Sequence, residues 1–260
     1  MIGELMYILN LENRQLASQY VAIELLKQMK LKPNSVLGLA TGNTMIDVYK
    51  YLKTLINNNH LQLDQIVTFN LDEYVGLSAD NEQSYHAYMY QQLFKHHQTW
   101  HKENIFIPQG DTGNIEQVCL MYEQYLKDKG PADIQILGIG ENGHIGFNEP
   151  GSSFESVTRV VDLSSSTINA NSRYFDSIED VPKQAISMGL ASIMRAKRII
   201  LLAMGENKKE AISQLIEGDI SEVLPASILH QHPHVDVIVD NEVFEALDQN
   251  KVQRLERHLS

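Results

Sequence analysis

The short apolar runs of this chain do not alternate. "SVLGLAT" (35–41), "QIVTFNL" (65–71), "DIQILGI" (133–139), "RIILLAMG" (198–205) and "VDVIVD" (235–240) carry apolar residues at successive positions, and "NIFIP" (104–108) adds a shorter run. A strand with one wet face alternates polar and apolar residues. A strand apolar at successive positions is covered on both faces. Helical patterns separate these runs. Over 12–31, Leu16, Tyr20, Ile23 and Leu26 recur at spacings of three and four. Further helices are expected over 44–56, 81–94, 114–129 and 207–217, the last with Ala211, Ile212, Leu215 and Ile216 inward. Pro33-Asn34, Gly130-Pro131 and Gly218 stop their helices. The alternation predicts an α/β fold: a doubly wound, mostly parallel, Rossmann-like sheet with helices on both faces, one domain over 1–260. Sheets of this kind bind ligands at the carboxyl ends of their strands, so the residues after each strand are the informative ones.

Composition narrows the ligand. The net charge is −12, which argues against nucleic acid, whose binding rests on Lys and Arg neutralising phosphates. An anionic ligand would gain nothing from the field of the whole molecule. Its site must supply positive potential locally, from backbone N–H groups and a few basic side chains. Cys119 is the only cysteine, so no intrachain disulfide can form, and in a helix it reads as a small core residue. No run of about 18 apolar residues exists, and the N-terminus lacks a basic segment and a small-residue cleavage site. A cytoplasmic protein without a membrane partner is expected.

After the first strand, "ATGNTM" (40–45) sets Thr41, Gly42, Asn43 and Thr44 just where a helix opens. Such a turn aims several N–H groups at one spot, with the positive end of the helix dipole behind them. It reads as a phosphate cradle or as an ordinary turn capped by Thr44. After the second strand, "FNLDEYVGL" (69–77) places Asp72, a candidate general base, next to Glu73. After the third, "GIGENGHIGFNEP" (138–150) contains Gly-x-Gly-x-x-Gly, the dinucleotide fingerprint on paper. That fingerprint needs a helix starting within the glycines, and Gly146 and Pro150 forbid a long one. A glycine-rich loop with His144 and Glu149 suits acid–base chemistry better, because imidazole titrates near neutrality. After the fourth strand Lys208 opens a helix, and "NSRYF" (171–175) offers Arg173. Each residue alone passes as surface chemistry. Their convergence on one rim points to a small anionic ligand. The alternate histidines His230, His232 and His234 have no accompanying cysteine cluster or helical histidine pair, so no metal is expected.

The same segments, with "NEQSYHAYM", "ANSRYF", "MGLASIMRAKRIILLAMGENKKEAI" and "LPASILHQHP", resemble the glucosamine-6-phosphate deaminase family nearly end to end. The pairing of "NLDEY" with "GHIGFNEP" is the most specific part. The resemblance implies that glucosamine 6-phosphate and water give fructose 6-phosphate and ammonia, without metal or redox cofactor. It implies that His144, assisted by Glu149, opens the sugar ring. Asp72 would move the C2 proton to C1 through an enolamine. Thr41, Gly42, Asn43, Thr44, Arg173 and Lys208 would hold the phosphate. Asn142 stands where many members have Asp, so the relay around His144 carries one charge fewer. Asn43 stands where many have a second Gly, and Asn tolerates positive φ better than most residues. The larger members are hexamers activated by an N-acetylated sugar phosphate. Their Lys shortly after "TR" (158–159) is Val161 here, and no Tyr follows Tyr174, so weak or no activation is expected of a monomer or homo-oligomer. Two rival readings remain: a 6-phosphogluconolactonase, which needs no C2 base, and a non-catalytic sugar-phosphate sensor, which would carry a basic DNA-binding head.

Overall fold

A computed structural model describes residues 6–255. In chain order the elements are β1 (Met6–Asn10), α1 (Arg14–Leu31), β2 (Val36–Leu39), α2 (Asn43–Asn58), β3 (Val67–Asn70), β4 (Asp72–Tyr74), α3 (Tyr85–Gln92), β5 (Ile105–Phe106), α4 (Ile115–Lys129), β6 (Ile134–Gly138), β7 (Arg159–Asp162), α5 (Ser165–Asn171), β8 (Gln184–Ser187), α6 (Leu190–Ile193), β9 (Ile199–Ala203), α7 (Lys209–Glu217), β10 (Val235–Val239), α8 (Asn241–Phe244) and α9 (Gln249–Leu255). Seven strands form a parallel sheet in the order β1-β10-β9-β6-β2-β3-β5. Every residue of β2, β9 and β10 is buried, as non-alternating strands between two helical layers require.

After β1, which lies at one edge beside β10, the chain enters the middle of the sheet at β2 and works outward in both directions. From β2 it proceeds through β3 to β5, and from β6 through β9 to β10. The reversal falls between β2 and β6, so the crevice lies above those two strands. The N-terminal ends of the strands are held differently. Asp133, just before β6, accepts hydrogen bonds from Lys32, Lys197 and the Val36 amide. Arg198 bridges Glu24 and Asp236. These ionic ties lie at the end of the sheet away from the crevice.

Three parts of the fold differ from the sequence reading. In α1 the buried face is Ala17, Ser18, Val21, Ala22, Leu25, Leu26 and Met29, while Leu16 and Ile23 are 42% and 40% exposed. Small residues turn inward because α1 packs closely along α2, and a stripe defined by large residues alone selects the neighbouring face. The second difference is a small antiparallel sheet, β4-β8-β7, which the apolar runs do not reveal. It pairs Asp72 with Ser187, and Arg159 with the same Ser187 from the other side. Tyr74, Phe147, Leu163 and Ala185 form a satellite core beside it. The third is β1, where "MYILN" pairs in full register with β10. Cys119 is buried on α4, as its helical setting suggested.

Candidate active site

The turn after β2 is built for a close approach to backbone. Gly42 is the N-cap of α2 with φ +98°, and its missing side chain leaves open space. Asn43 does not have positive φ; it is the first helical residue, so the glycine requirement falls one position earlier. Thr44 is likewise inside the helix, and no side chain caps α2. The first N–H groups of the helix therefore have no side-chain acceptor, which suits an anion. Two outside groups fix the turn. The Tyr88 hydroxyl donates to the Gly42 carbonyl at 2.8 Å. Arg14 donates to the Asn43 carbonyl and pairs with Asp47 at 3.1 Å.

Asp72 opens β4 and is 6% exposed. Burial, and then the neighbouring Glu73 charge, push its carboxyl up to about 8. Glu73 itself is wholly buried and fully engaged. One oxygen accepts the Tyr74 and Tyr85 amides at 2.9 Å, and the other accepts the His86 amide at 3.0 Å and the His86 ring at 2.9 Å. Adjacent acids thus take opposite roles, because successive strand residues point to opposite faces.

The loop after β6 contains no helix; the next regular element is β7. Its glycines serve packing instead. A Cβ on Gly140 would lie 2.3 Å from the His144 ring, so only glycine lets the imidazole rest there. Gly146 has φ +58°, and a Cβ on it would come within 3.8 Å of Asp72 Oδ2. The backbone of the histidine loop therefore passes directly beside the buried acid. Asn148 ties the loop down by donating to the Ile145 and Met188 carbonyls, each at 2.8 Å, and the Phe147 amide donates to Ser187 Oγ at 3.1 Å.

The loop folds back so that Glu149 Oε2 lies 3.5 Å from His144 Nδ1. Asn142 joins the two: its amide donates to Glu149 Oε2 at 2.7 Å, and its oxygen accepts the His144 amide at 3.2 Å. Ser164 and Thr167 donate to the other Glu149 oxygen at 3.0 and 2.5 Å. Burial opposes ionisation of Glu149, but His144, Thr167 and Asn142 outweigh it and hold the carboxyl at about 2. A permanent anion thus faces the imidazole and orients the ring.

Lys208 ends a 3-10 turn after β9. Burial lowers its ammonium pKa, while Glu141 in the histidine loop counters the shift. The Asn207 side chain donates to Glu141 at 2.8 Å, so this turn and the loop share one edge. Arg173 is exposed in the 3-10 turn Ser172–Tyr174, with its guanidinium 5.0 Å above the Tyr174 ring. Among the described residues no hydrogen bond or ion pair joins it to the cradle. Its segment does lie over α3, since Tyr174 interacts electrostatically with Tyr88 and Tyr74 and Phe175 packs on Tyr74. His230 and His232 donate to the Leu215 and Ala196 carbonyls, so those rings have structural partners.

Sequence reasoning missed the α3 tyrosines. The Tyr85 ring lies 4.8 Å from that of Tyr74, and its phenol sits near Thr41 and feels the Asp72 charge. Together Tyr85 and Tyr88 connect the cradle to the buried acid. Their signal was the i, i+3 spacing in "YHAY", with Ser84 as N-cap, which reads equally well as an ordinary half-buried helix.

The chain is similar to known proteins in sequence and in fold. The family model for glucosamine-6-phosphate isomerases/6-phosphogluconolactonase matches residues 13–239. A glucosamine-6-phosphate deaminase of Staphylococcus haemolyticus is 62% identical over 242 residues, 93% of this chain and 100% of the relative. One from Staphylococcus epidermidis is 57% identical over 237 residues, 91% of this chain and 98% of the relative. Among solved structures, a monomeric glucosamine-6-phosphate deaminase superposes with a TM-score of 0.90 at 46% identity, covering 93% of this chain and 100% of the other. A 6-phosphogluconolactonase from Trypanosoma brucei has a TM-score of 0.78 at 19% identity, covering 95% of this chain and 100% of the other, a likeness of fold alone.

Proposed function

Because the chain belongs to the glucosamine-6-phosphate isomerase/6-phosphogluconolactonase family, we infer that it converts glucosamine 6-phosphate and water to fructose 6-phosphate and ammonia, a step of amino-sugar catabolism. The observation that carries this reading is the identity of 62% to a deaminase across that relative's whole length, against 19% to a lactonase.

We further propose the following roles for the side chains. The Thr41–Thr44 turn, with its uncapped N–H groups, takes the phosphate, and Lys208 and Arg173 supply charge that a chain of net −12 otherwise lacks. Arg173 reaches the phosphate by movement of its exposed segment. His144, held by Glu149, takes the proton from the anomeric hydroxyl and gives one to the ring oxygen, opening the sugar. Asp72, as carboxylate, takes the C2 proton to form an enolamine and returns it to C1. Water then adds at C2 and ammonia leaves. The oxidation level gained at C2 is lost at C1, so the reaction calls for no external electron acceptor. A carboxyl near 8 is a far stronger base than an ordinary aspartate and still ionises close to neutral pH, which is where a general base works best.

The test is to incubate purified protein with glucosamine 6-phosphate and measure fructose 6-phosphate and ammonia together. Asp72→Asn and His144→Gln should each lose at least about 100-fold in kcat, the usual worth of a positioned acid or base. Full turnover in both variants overturns the roles, and ammonia-free hydrolysis of 6-phosphogluconolactone overturns the reaction. No helix among the described residues is long and apolar enough to cross a membrane. We propose a cytoplasmic enzyme, in keeping with its single buried thiol.

A further inference from the structure

We propose that Glu73 is a positioning residue for the deamination: it keeps a fixed negative charge behind Asp72 and, by anchoring the start of α3, sets the Tyr85 and Tyr88 hydroxyls against the phosphate-binding turn. This inference rests on Asp72 being the base.

Glu73 is 0% exposed and sits immediately after Asp72. It does not point at the crevice. Its carboxylate accepts four hydrogen bonds, from the Tyr74, Tyr85 and His86 amides and the His86 ring, all at 2.9–3.0 Å. Two of those amides are the first two of α3, so Glu73 does for this helix what an N-terminal acid does generally, but from another strand. Ser84 caps the following N–H by accepting from Ala87 at 3.0 Å, and the helix start is fixed from two sides.

What the helix carries is the point. Tyr88 donates to the Gly42 carbonyl, and the Tyr85 phenol lies near Thr41. A shift of α3 therefore moves two contacts of the cradle at once. Space around Glu73 is tight. A Cβ on Gly110 would lie 1.9 Å from the Tyr74 carbonyl and 3.5 Å from Glu73 Cγ, so the segment before α4 closes over the carboxylate with bare backbone. The titratable groups that face Glu73 are Asp72 and Tyr74 on β4 and Tyr85 and His86 on α3; only the His86 ring can carry a compensating positive charge. Like charge in a buried neighbour makes Asp72 hold its proton more tightly, in accord with the upward shift.

The experiment is the pH dependence of kcat/KM for glucosamine 6-phosphate in the wild type, Glu73→Gln and Glu73→Asp. Glu73→Gln keeps an acceptor for the Tyr74 and Tyr85 amides but removes the charge. Its acid limb should move to lower pH by roughly one unit. Glu73→Asp keeps the charge and shortens the reach. Its limb should stay in place while KM rises several-fold, because α3 loses its anchor. An unmoved limb in Glu73→Gln, or a limb moved to lower pH in Glu73→Asp, overturns the proposal. The second outcome stands even if Glu73→Gln does not fold. Retained turnover in Asp72→Asn would instead overturn the assignment of the base.

Discussion

At the scale of single residues, this site sets two carboxylates to opposite ends of their range. Against burial, Glu149 is held at about 2 by His144, Thr167 and Asn142, and Asp72 is pushed up to about 8 by burial and a like charge. Neither environment could be read from local sequence, since both acids follow an apolar stretch or a glycine loop. Asn142 shows what one atom changes. Its amide donates to Glu149, where a carboxylate in the same place would repel it. The neutral residue thus helps Glu149 remain ionised. Asp72 carries a cost in stability that a mutation can expose. Its folded pKa lies above the unfolded value of about 3.9, so its contribution is fully present below pH 4 or so and is lost as pH rises towards 8. Above that, the protein folds around a buried anion. Asp72→Asn should therefore be more stable than the wild type by a few kcal/mol in urea unfolding at about pH 9, and nearly equal to it at about pH 4. A pH-independent difference would show that Asp72 is not buried as a neutral acid.

At the scale of elements, the glycine loop separates fold from function. Gly143 has φ +79°, and a Cβ there would lie 2.1 Å from Leu224 Cδ1, so it serves the fold. Gly140 is different: the three atoms nearest a Cβ there all belong to the His144 ring, at 2.3–2.5 Å. Gly140→Ala should leave the urea midpoint almost unchanged and reduce kcat by about 100-fold, the effect of displacing a catalytic group by about an ångström. Circular dichroism and a turnover assay separate the two; a large drop in stability with normal residual kcat would reverse the assignment. The loop also shows how legible the molecule was. The strand before it, the absence of a following helix and the approach of Glu149 to His144 all came from periodicity and residue type. The antiparallel β4-β8-β7 sheet did not, because β4 has only the three residues Asp72–Tyr74 and β7 is half-exposed. Strands so short have no period to detect. That sheet is nevertheless what seats Asp72 beside Gly146. The inward face of α1 was misread for a related reason: Ala and Ser can define a packing face as well as Leu can, when the neighbouring helix comes close.

At the scale of the whole molecule, the question is whether substrate saturation is modulated. Activation by a second sugar phosphate requires another anion site, and the molecule's net charge of −12 gives such a site no general help. The chain's own version of the region around β7 is already satisfied. Arg159 donates to Asn148 Oδ1 at 2.9 Å and to Ser152 Oγ at 3.3 Å within one protomer. Burial makes its charge costlier, and among the described residues no carboxylate pairs with it. Val161, two residues on, packs against the satellite core where activated members of the family were expected to place a lysine. A single guanidinium engaged with neutral groups is a weak receiver for a phosphate dianion, which bidentate or multiple cationic contacts normally hold. The close likeness to a monomeric deaminase, with a TM-score of 0.90, adds that this fold need not depend on a subunit interface. Initial rates against glucosamine 6-phosphate should accordingly follow a hyperbola, with a Hill coefficient near one. N-acetylglucosamine 6-phosphate should leave the curve unchanged or compete weakly at the active site. Sigmoidal rates that this compound converts to hyperbolic ones would mean that Arg159 gives up its internal partners to bind it, and that Val161 does not abolish the second site.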